Sequence, residues 1–196
     1  MIQQGKDRHK AVLKTMWKHC FPSDTEQFIS FYFDEIYKNE ETLLYLIDDQ
    51  PIASLQIIPY TIRIGNTIHS AGYISGTMTH PDYRKRGYMR ELLTVSFDEM
   101  EKKGYDYTFL IPEKEELIDM YAKFGFRLCE PNPEPPKNKV LKTLKQWAYL
   151  RQEFYDRQHF WLEGELISVL GQEAMVKRLN PAVEEITTLY MGMMLA

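Results

Sequence analysis

Apolar residues recur at helical spacing from the first turns of the chain. Val12, Leu13, Met16 and Trp17 share one face, which predicts a helix from Asp7 to Cys20 ended by Phe21-Pro22. Ser23-x-x-Glu26 has the form of a capping box and predicts a second helix starting just before Gln27. That helix carries Phe28, Ile29, Phe31, Tyr32, Ile36 and Tyr37. So many rings on one helix serve either as core packing or as the wall of a substrate pocket. The period then shortens to that of strands. Leu43 to Ile47 and Ile52 to Ile58 read as two strands separated by Asp48-Asp49-Gln50-Pro51. Ile62-Arg63-Ile64, a Gly65-Asn66 turn and Thr67-Ile68 predict a hairpin. Ala71 to Thr79 is a further strand, rich in small and β-branched residues.

His80-Pro81-Asp82-Tyr83 breaks that strand. A basic loop follows, and a third helix starts near Met89, with Leu92, Leu93, Phe97 and Met100 on its apolar face. Lys102, Lys103 and Gly104 close it, cations at the negative end of the dipole and glycine just beyond. Tyr107 to Ile111 predicts a strand, Glu115 to Phe124 a fourth helix stopped by Gly125, and Phe126-Arg127-Leu128 a strand start. Residues 130–136, Glu-Pro-Asn-Pro-Glu-Pro-Pro, form a stiff connector. Beyond it the pattern predicts a helix over 146–157, a strand over 166–170, a helix over 171–179 and a buried Met-rich C-terminal run. The order is that of a mixed α/β domain with a strand–loop–helix unit in its middle.

Composition narrows the possibilities without deciding among them. The 196 residues are 44% hydrophobic and 27% charged, close to globular averages, which argues against a disordered or collagen-like chain. Lys and Arg number 24 against 28 Asp and Glu, a net charge of −4. A whole-domain electrostatic grip on nucleic acid or an anionic membrane is not expected, although a local basic patch remains open. Cys20 and Cys129 stand far apart with no zinc-type spacing to any histidine, so reduced thiols and no metal site are expected. The N-terminus lacks a signal-like apolar region, and no run approaches the roughly 20 residues of a membrane helix. The expectation is a cytoplasmic protein that engages neither nucleic acid nor membrane.

One segment carries chemistry. From Gly76 through Thr77, Met78 and Thr79 a strand enters the loop Arg84-Lys85-Arg86-Gly87, and the loop enters a helix at Tyr88, Met89 and Arg90. Free amides and the positive end of a helix dipole converge there, which suits a phosphate or pyrophosphate. Gly87 permits close backbone approach, and Arg84, Lys85, Arg86 and Arg90 add charge on top of the amides. The same residues equally describe a solvated basic helix start with a turn glycine. The nucleoside-triphosphate loop and the dinucleotide fingerprint are both missing, as are the signatures of zinc proteases, serine hydrolases and kinases.

Arg84-x-x-Gly87-x-Met89 resembles the Q/R-x-x-G-x-G/A loop of the GCN5-related N-acetyltransferases (GNAT). Met120-Tyr121-Ala122-Lys123-Phe124-Gly125-Phe126 resembles that family's Tyr-x-x-x-Gly-Phe signature downstream. The run Pro81-x-Tyr83-Arg84-x-Arg86-Gly87-x-Met89-Arg90 is most similar to the enhanced-intracellular-survival (Eis) branch. The likeness spans residues 20 to 130 and departs at Met89, where most members have Gly or Ala. It implies a mostly antiparallel sheet flanked by helices, with a core over 1–130 and a C-terminal extension, 131–196, packed on the core or completing it. It implies transfer of an acetyl group from acetyl-CoA to a primary amine of an unidentified acceptor. A silent acyl-CoA-binding sensor or scaffold is the alternative. By the same resemblance, the amides from Lys85 to Arg90 hold the pyrophosphate. Thr77, Met78 and Thr79 pair with the pantetheine arm, and Tyr121 protonates the leaving thiolate. No general base stands out; His80, Asp34 and Glu35 are candidates. Phe28, Phe31, Tyr32 and Tyr37 suggest a roomy acceptor pocket.

Overall fold

A computed structural model describes residues 1–64, 67–131, 174–186 and 188–189. The Gly65-Asn66 turn, most of the proline-rich connector, the helix expected over 146–157, the strand expected over 166–170 and the C-terminal run lie outside them. The chain divides into two compact units, residues 1–58 with 73–103, and residues 59–72 with 104–196.

The first unit begins with strand β1 (Ile2–Gln4), which the sequence pattern did not announce, and helix α1 (Asp7–Cys20), which it did. His9, Leu13, Met16 and Trp17 are the buried stripe of α1. Helix α2 (Glu26–Phe31) starts from Thr25, not from Ser23. The Thr25 hydroxyl accepts the Phe28 N–H, which the exposed Ser23 does not do. The helix then widens into a π-turn over Tyr32–Ile36, closed by Tyr37 N–H on the Tyr32 carbonyl at 2.8 Å. Such widened turns insert a residue and re-aim the side chains around it. Strand β2 (Thr42–Ile47) joins β3 (Gln50–Ile64) through Asp48 and Asp49, both at positive φ (47° and 61°). The residues read as a strand break are therefore a two-residue hairpin turn. In this unit the strand order is β1-β2-β3-β4, with β4 spanning Thr67–Thr79. Helix α3 (Tyr88–Lys102) buries Leu92, Leu93, Phe97 and Met100.

β3 and β4 are each one long strand where the sequence suggested two pieces. Pro59 lies inside β3, although proline removes a ladder donor. β2 pairs with β3 only through Gln56, so at Pro59 the β2 ladder has already ended.

The second unit orders β3, β4, β5 (Tyr107–Leu110), β8 (Met175–Arg178) and β6 (Arg127–Leu128) side by side. β8 runs antiparallel to both β5 and β6. The helix expected over 171–179 is thus a strand at Met175–Arg178. Its Met175 and Val176 are buried between two neighbours, and pairing outweighs local helical propensity there. Short helix α4 (Ile118–Ala122) follows a 3-10 turn over Glu115–Leu117, where one helix was expected. β7 (Glu130–Pro131) pairs in parallel with β9 (Thr188–Leu189). Asp106 ties the unit together. Its carboxylate accepts from Asn180 at 2.7 Å and lies 3.2 Å from His69 Nδ1, while its amide donates to the Ser70 carbonyl. No helix among the described residues is long and apolar enough to cross a membrane.

Candidate functional site

Strand β4 carries the site into position in the first unit. At Gly76 the backbone turns left-handed (φ +56°), and a Cβ there would lie 2.7 Å from Trp17 Cζ3. Only glycine combines that φ with that clearance. The indole of Trp17 is held by its Nε1–H on Asp24 Oδ2 at 2.6 Å and by the Tyr32 ring at 4.3 Å. Tyr32 is 3% exposed and heads a polar chain. Gln56 Nε2 donates to the Ile36 carbonyl (3.0 Å) and lies 3.3 Å from Glu41 Oε2, which leaves Oε1 to accept the Tyr32 hydroxyl at 2.7 Å. Ser75 Oγ sits 3.2 Å from the same hydroxyl. Burial raises the Tyr32 phenol well above its ordinary range. Ile29, Tyr32, Phe33 and Ile36 of this segment are therefore core, whereas Phe28, Phe31 and Tyr37 are half-buried. The crevice between Trp17, Tyr32, Gln56 and Gly76 has room for about one water.

Beyond Gly76, Thr77 and Thr79 are half-buried and Met78 is buried. The amide of His80 donates to Ile52 of β3 at 2.8 Å, so β4 stays paired to its last residue. His80 then caps a 3-10 turn over Pro81–Tyr83, its Nδ1 accepting from the Asp82 amide. Arg84 folds back, its Nε donating to the Thr79 carbonyl at 3.1 Å. Lys85 takes φ +61° and Gly87 φ +89°, the latter at the N-cap of α3. Two left-handed residues so close turn successive amides toward one side, the concave arrangement that attracts anions. A lysine held left-handed is strained, and such strain collects at ligand clamps.

Helix α3 makes its first internal bond from the Glu91 amide to the Gly87 carbonyl at 3.1 Å. The amides of Tyr88, Met89 and Arg90 precede it, so no turn of the helix satisfies them. Gly87 has open space where a side chain would be, with no atom within 4 Å of an added Cβ. Arg84, Lys85, Arg86 and Arg90 are exposed, whereas Tyr88 and Met89 are half-buried. Tyr88 packs on Tyr45 of β2 at 4.6 Å, and Arg86 lies over the Tyr83 ring at 5.5 Å. Residues 77–90 are therefore one continuous strand–loop–helix device with a cationic rim. A phosphate fits its amides, open glycine and charge.

Tyr121 stands in the second unit, buried on α4 with its ring edge-on to Phe126 at 5.9 Å. Gly125 follows at φ +85°, the left-handed stop expected of it. Of the base candidates, Asp34 is exposed and pairs with Lys10 at 3.5 Å, and His80 is engaged as a cap. Sequence reasoning missed the Trp17–Gly76 contact and Cys20, whose thiol lies 3.5 Å from the Thr79 carbonyl. A glycine inside a strand was the available signal for the first. None existed for the second, because only the fold brings Cys20 and Thr79 together.

The family model described as the acetyltransferase (GNAT) domain matches residues 2–129. No curated protein sequence matches the chain. Three solved structures illustrate the likeness. Eis1 from Mycobacterium abscessus is 13% identical with a TM-score of 0.56, over 64% of this chain and 31% of its own. N-acetylglutamate synthase from Neisseria gonorrhoeae, complexed with coenzyme A and N-acetyl-glutamate, is 14% identical with a TM-score of 0.52, over 92% and 35%. The ribosomal-protein-S18-alanine N-acetyltransferase from Escherichia coli is 15% identical with a TM-score of 0.54, over 95% and 97%. At these identities the likeness is one of fold. The chain spans about a third of the length of the first two.

Proposed function

Because the chain belongs to the GNAT acetyltransferase family, we propose that it transfers an acetyl group from acetyl-CoA to a primary amine of an acceptor, with both substrates bound at once. The observation that carries the reading is the device at residues 77–90, where first-turn amides that the helix leaves unpaired, an open glycine and the exposed cations Lys85, Arg86 and Arg90 converge. The core of this activity would be residues 1–130, with 131–196 as an extension.

In this reading the amides of Lys85 to Arg90 hold the pyrophosphate. Lys85, Arg86 and Arg90 balance its charge, and Gly87 lets the backbone come close. The edge of β4 at Thr77, Met78 and Thr79 guides the pantetheine arm. Acetyl-CoA supplies an acetyl thioester, and the neutral amine attacks its carbonyl carbon. The C–N bond forms, the C–S bond breaks, and the amine loses a proton to solvent. Tyr121 Oη gives a proton to the departing thiolate and regains one from solvent, so the proton lost by the amine balances the one taken up by the thiol. A phenol near pKa 10 and a thiol near about 8.5 are close enough to exchange it. Holding the amine against the thioester supplies much of the rate by orientation.

Calorimetric titration with acetyl-CoA tests the reading. Micromolar binding to the wild type, lost in Gly87→Glu, supports it. Absence of binding to folded protein overturns it. A thiol-release assay over a panel of amines then separates turnover from a silent sensor. Acceptor-dependent release that falls at least tenfold in Tyr121→Phe supports catalysis; binding without release supports the sensor.

A further inference from the structure

The Arg84 side chain turns away from the face where an anion would sit. Nε donates to the Thr79 carbonyl at 3.1 Å, and Nη2 lies 3.6 Å from Cys20 Sγ. Cys20 Sγ in turn lies 3.5 Å from the same carbonyl. Three segments meet at one oxygen: the end of α1, the end of β4 and the loop before α3. Backbone groups of successive strand residues point to opposite edges. The His80 amide points at β3, so the Thr79 carbonyl faces the edge away from β3, where the weak thiol donor of Cys20 also reaches it. Arg84 supplies the stronger, N–H donor. Four residues separate Thr79 from Arg84, and the bond closes them into a ring. That ring fixes where Lys85 and Gly87 begin their left-handed turns.

We propose that Arg84 is a positioning residue, bracing the strand-to-helix loop from behind through the Thr79 carbonyl rather than neutralising a bound pyrophosphate. The requirement is for an N–H donor of sufficient reach, not for a charge. Glutamine meets it; alanine does not. The inference rests on the reading of this loop as the acyl-CoA site, but its first test does not need the ligand.

Amide hydrogen exchange of residues 80–88 in the ligand-free protein is that test. Arg84→Ala should exchange at least about tenfold faster there, and Arg84→Gln should stay within about threefold of wild type. Cys20→Ala should also stay within about threefold, since the Arg84–Thr79 bond survives it. Titration with acetyl-CoA at several salt concentrations is the second test. Arg84→Ala should weaken binding about tenfold with the salt dependence of the wild type, and Arg84→Gln should restore the affinity. Unchanged exchange in Arg84→Ala overturns the proposal. So does an Arg84→Gln protein that binds as weakly as Arg84→Ala with a flattened salt dependence, which would place the charge on the phosphate. If the wild type binds no acetyl-CoA, the proposed function falls, and the exchange comparison still decides the brace.

Discussion

Gly76→Ala isolates how far one strand residue shapes the site. An L-residue held at φ +56° costs about 1–2 kcal/mol. The added methyl would also lie 2.7 Å from Trp17 Cζ3, 3.3 Å from Cη2 and 3.3 Å from the Tyr32 hydroxyl. The indole cannot swing clear. Its Nε1–H is spent on Asp24, and the Tyr32, Phe21 and Phe33 rings flank it at 4.3, 4.8 and 5.7 Å. Forcing a methyl into such packing costs about 1–3 kcal/mol more. The sum is about 2–5 kcal/mol, a fall in melting temperature of roughly 4–20 °C for a chain of this size. Gly104→Ala is the matched control. It has φ +73° but nothing within 4 Å, so it should lose only the backbone part. Trp17→Phe removes the clashing edge, and in that background Gly76→Ala should cost at least about 1 kcal/mol less than in the wild type. Urea unfolding followed by circular dichroism measures the wild type and all four variants. If Gly76→Ala costs no more than Gly104→Ala, Trp17 is no fixed wedge and the reasoning fails.

Tyr32→Phe should destabilise by about 1–3 kcal/mol in the same assay, because it strands the Gln56 Oε1 acceptor. Lys85→Gly should raise stability by up to about 1 kcal/mol by releasing a left-handed lysine, read as a higher urea midpoint. Asp106 is held below its ordinary 3.8 by the Asn180 amide first, opposed by burial and aided by His69. A lowered folded value means that its contribution is present above the unfolded value and is lost as the pH falls through the folded one. Stability measured from pH 5 downward should therefore fall more steeply in the wild type than in Asp106→Asn; parallel curves would count against this. Burial pushes the Cys129 thiol up to about 11, so at pH 8 an aromatic disulfide reagent should react with Cys20 and reach Cys129 only after denaturant is added.

Much of the architecture was legible because it is written locally. Leu13, Met16 and Trp17 on the face of α1, though not the exposed Val12, together with the closing of α3 by Lys102, Lys103 and Gly104 and the basic loop before Tyr88, follow from spacing and from residues with one conformational habit. The GNAT resemblance was legible for the same reason, since its two signatures are short and contiguous. Ser23 misled because a capping box names two residues and not which hydroxyl arrives first; Thr25 is nearer the helix. Residues 175–178 misled because a four-residue apolar run has no decisive period, and β5 and β6 as neighbours settled it.

The sequence by itself determined most of the helices and strands in the first 130 residues, though not β1 or the continuity of β3 and β4, and it determined where the cationic loop begins and that glycine stands at positions 76 and 87. Those properties depend on side-chain periodicity and on the φ each residue tolerates, and both are local. Only the tertiary structure decided that Gly76 faces Trp17, that Tyr32 is buried against the Trp17 ring, and that Arg84 turns onto Thr79 beside Cys20. These are contacts between residues from 5 to 64 positions apart. They form because packing α1 and α2 against β4 leaves one carbonyl and one strand kink to be satisfied by whatever the fold brings near, and no local pattern in the chain encodes that meeting.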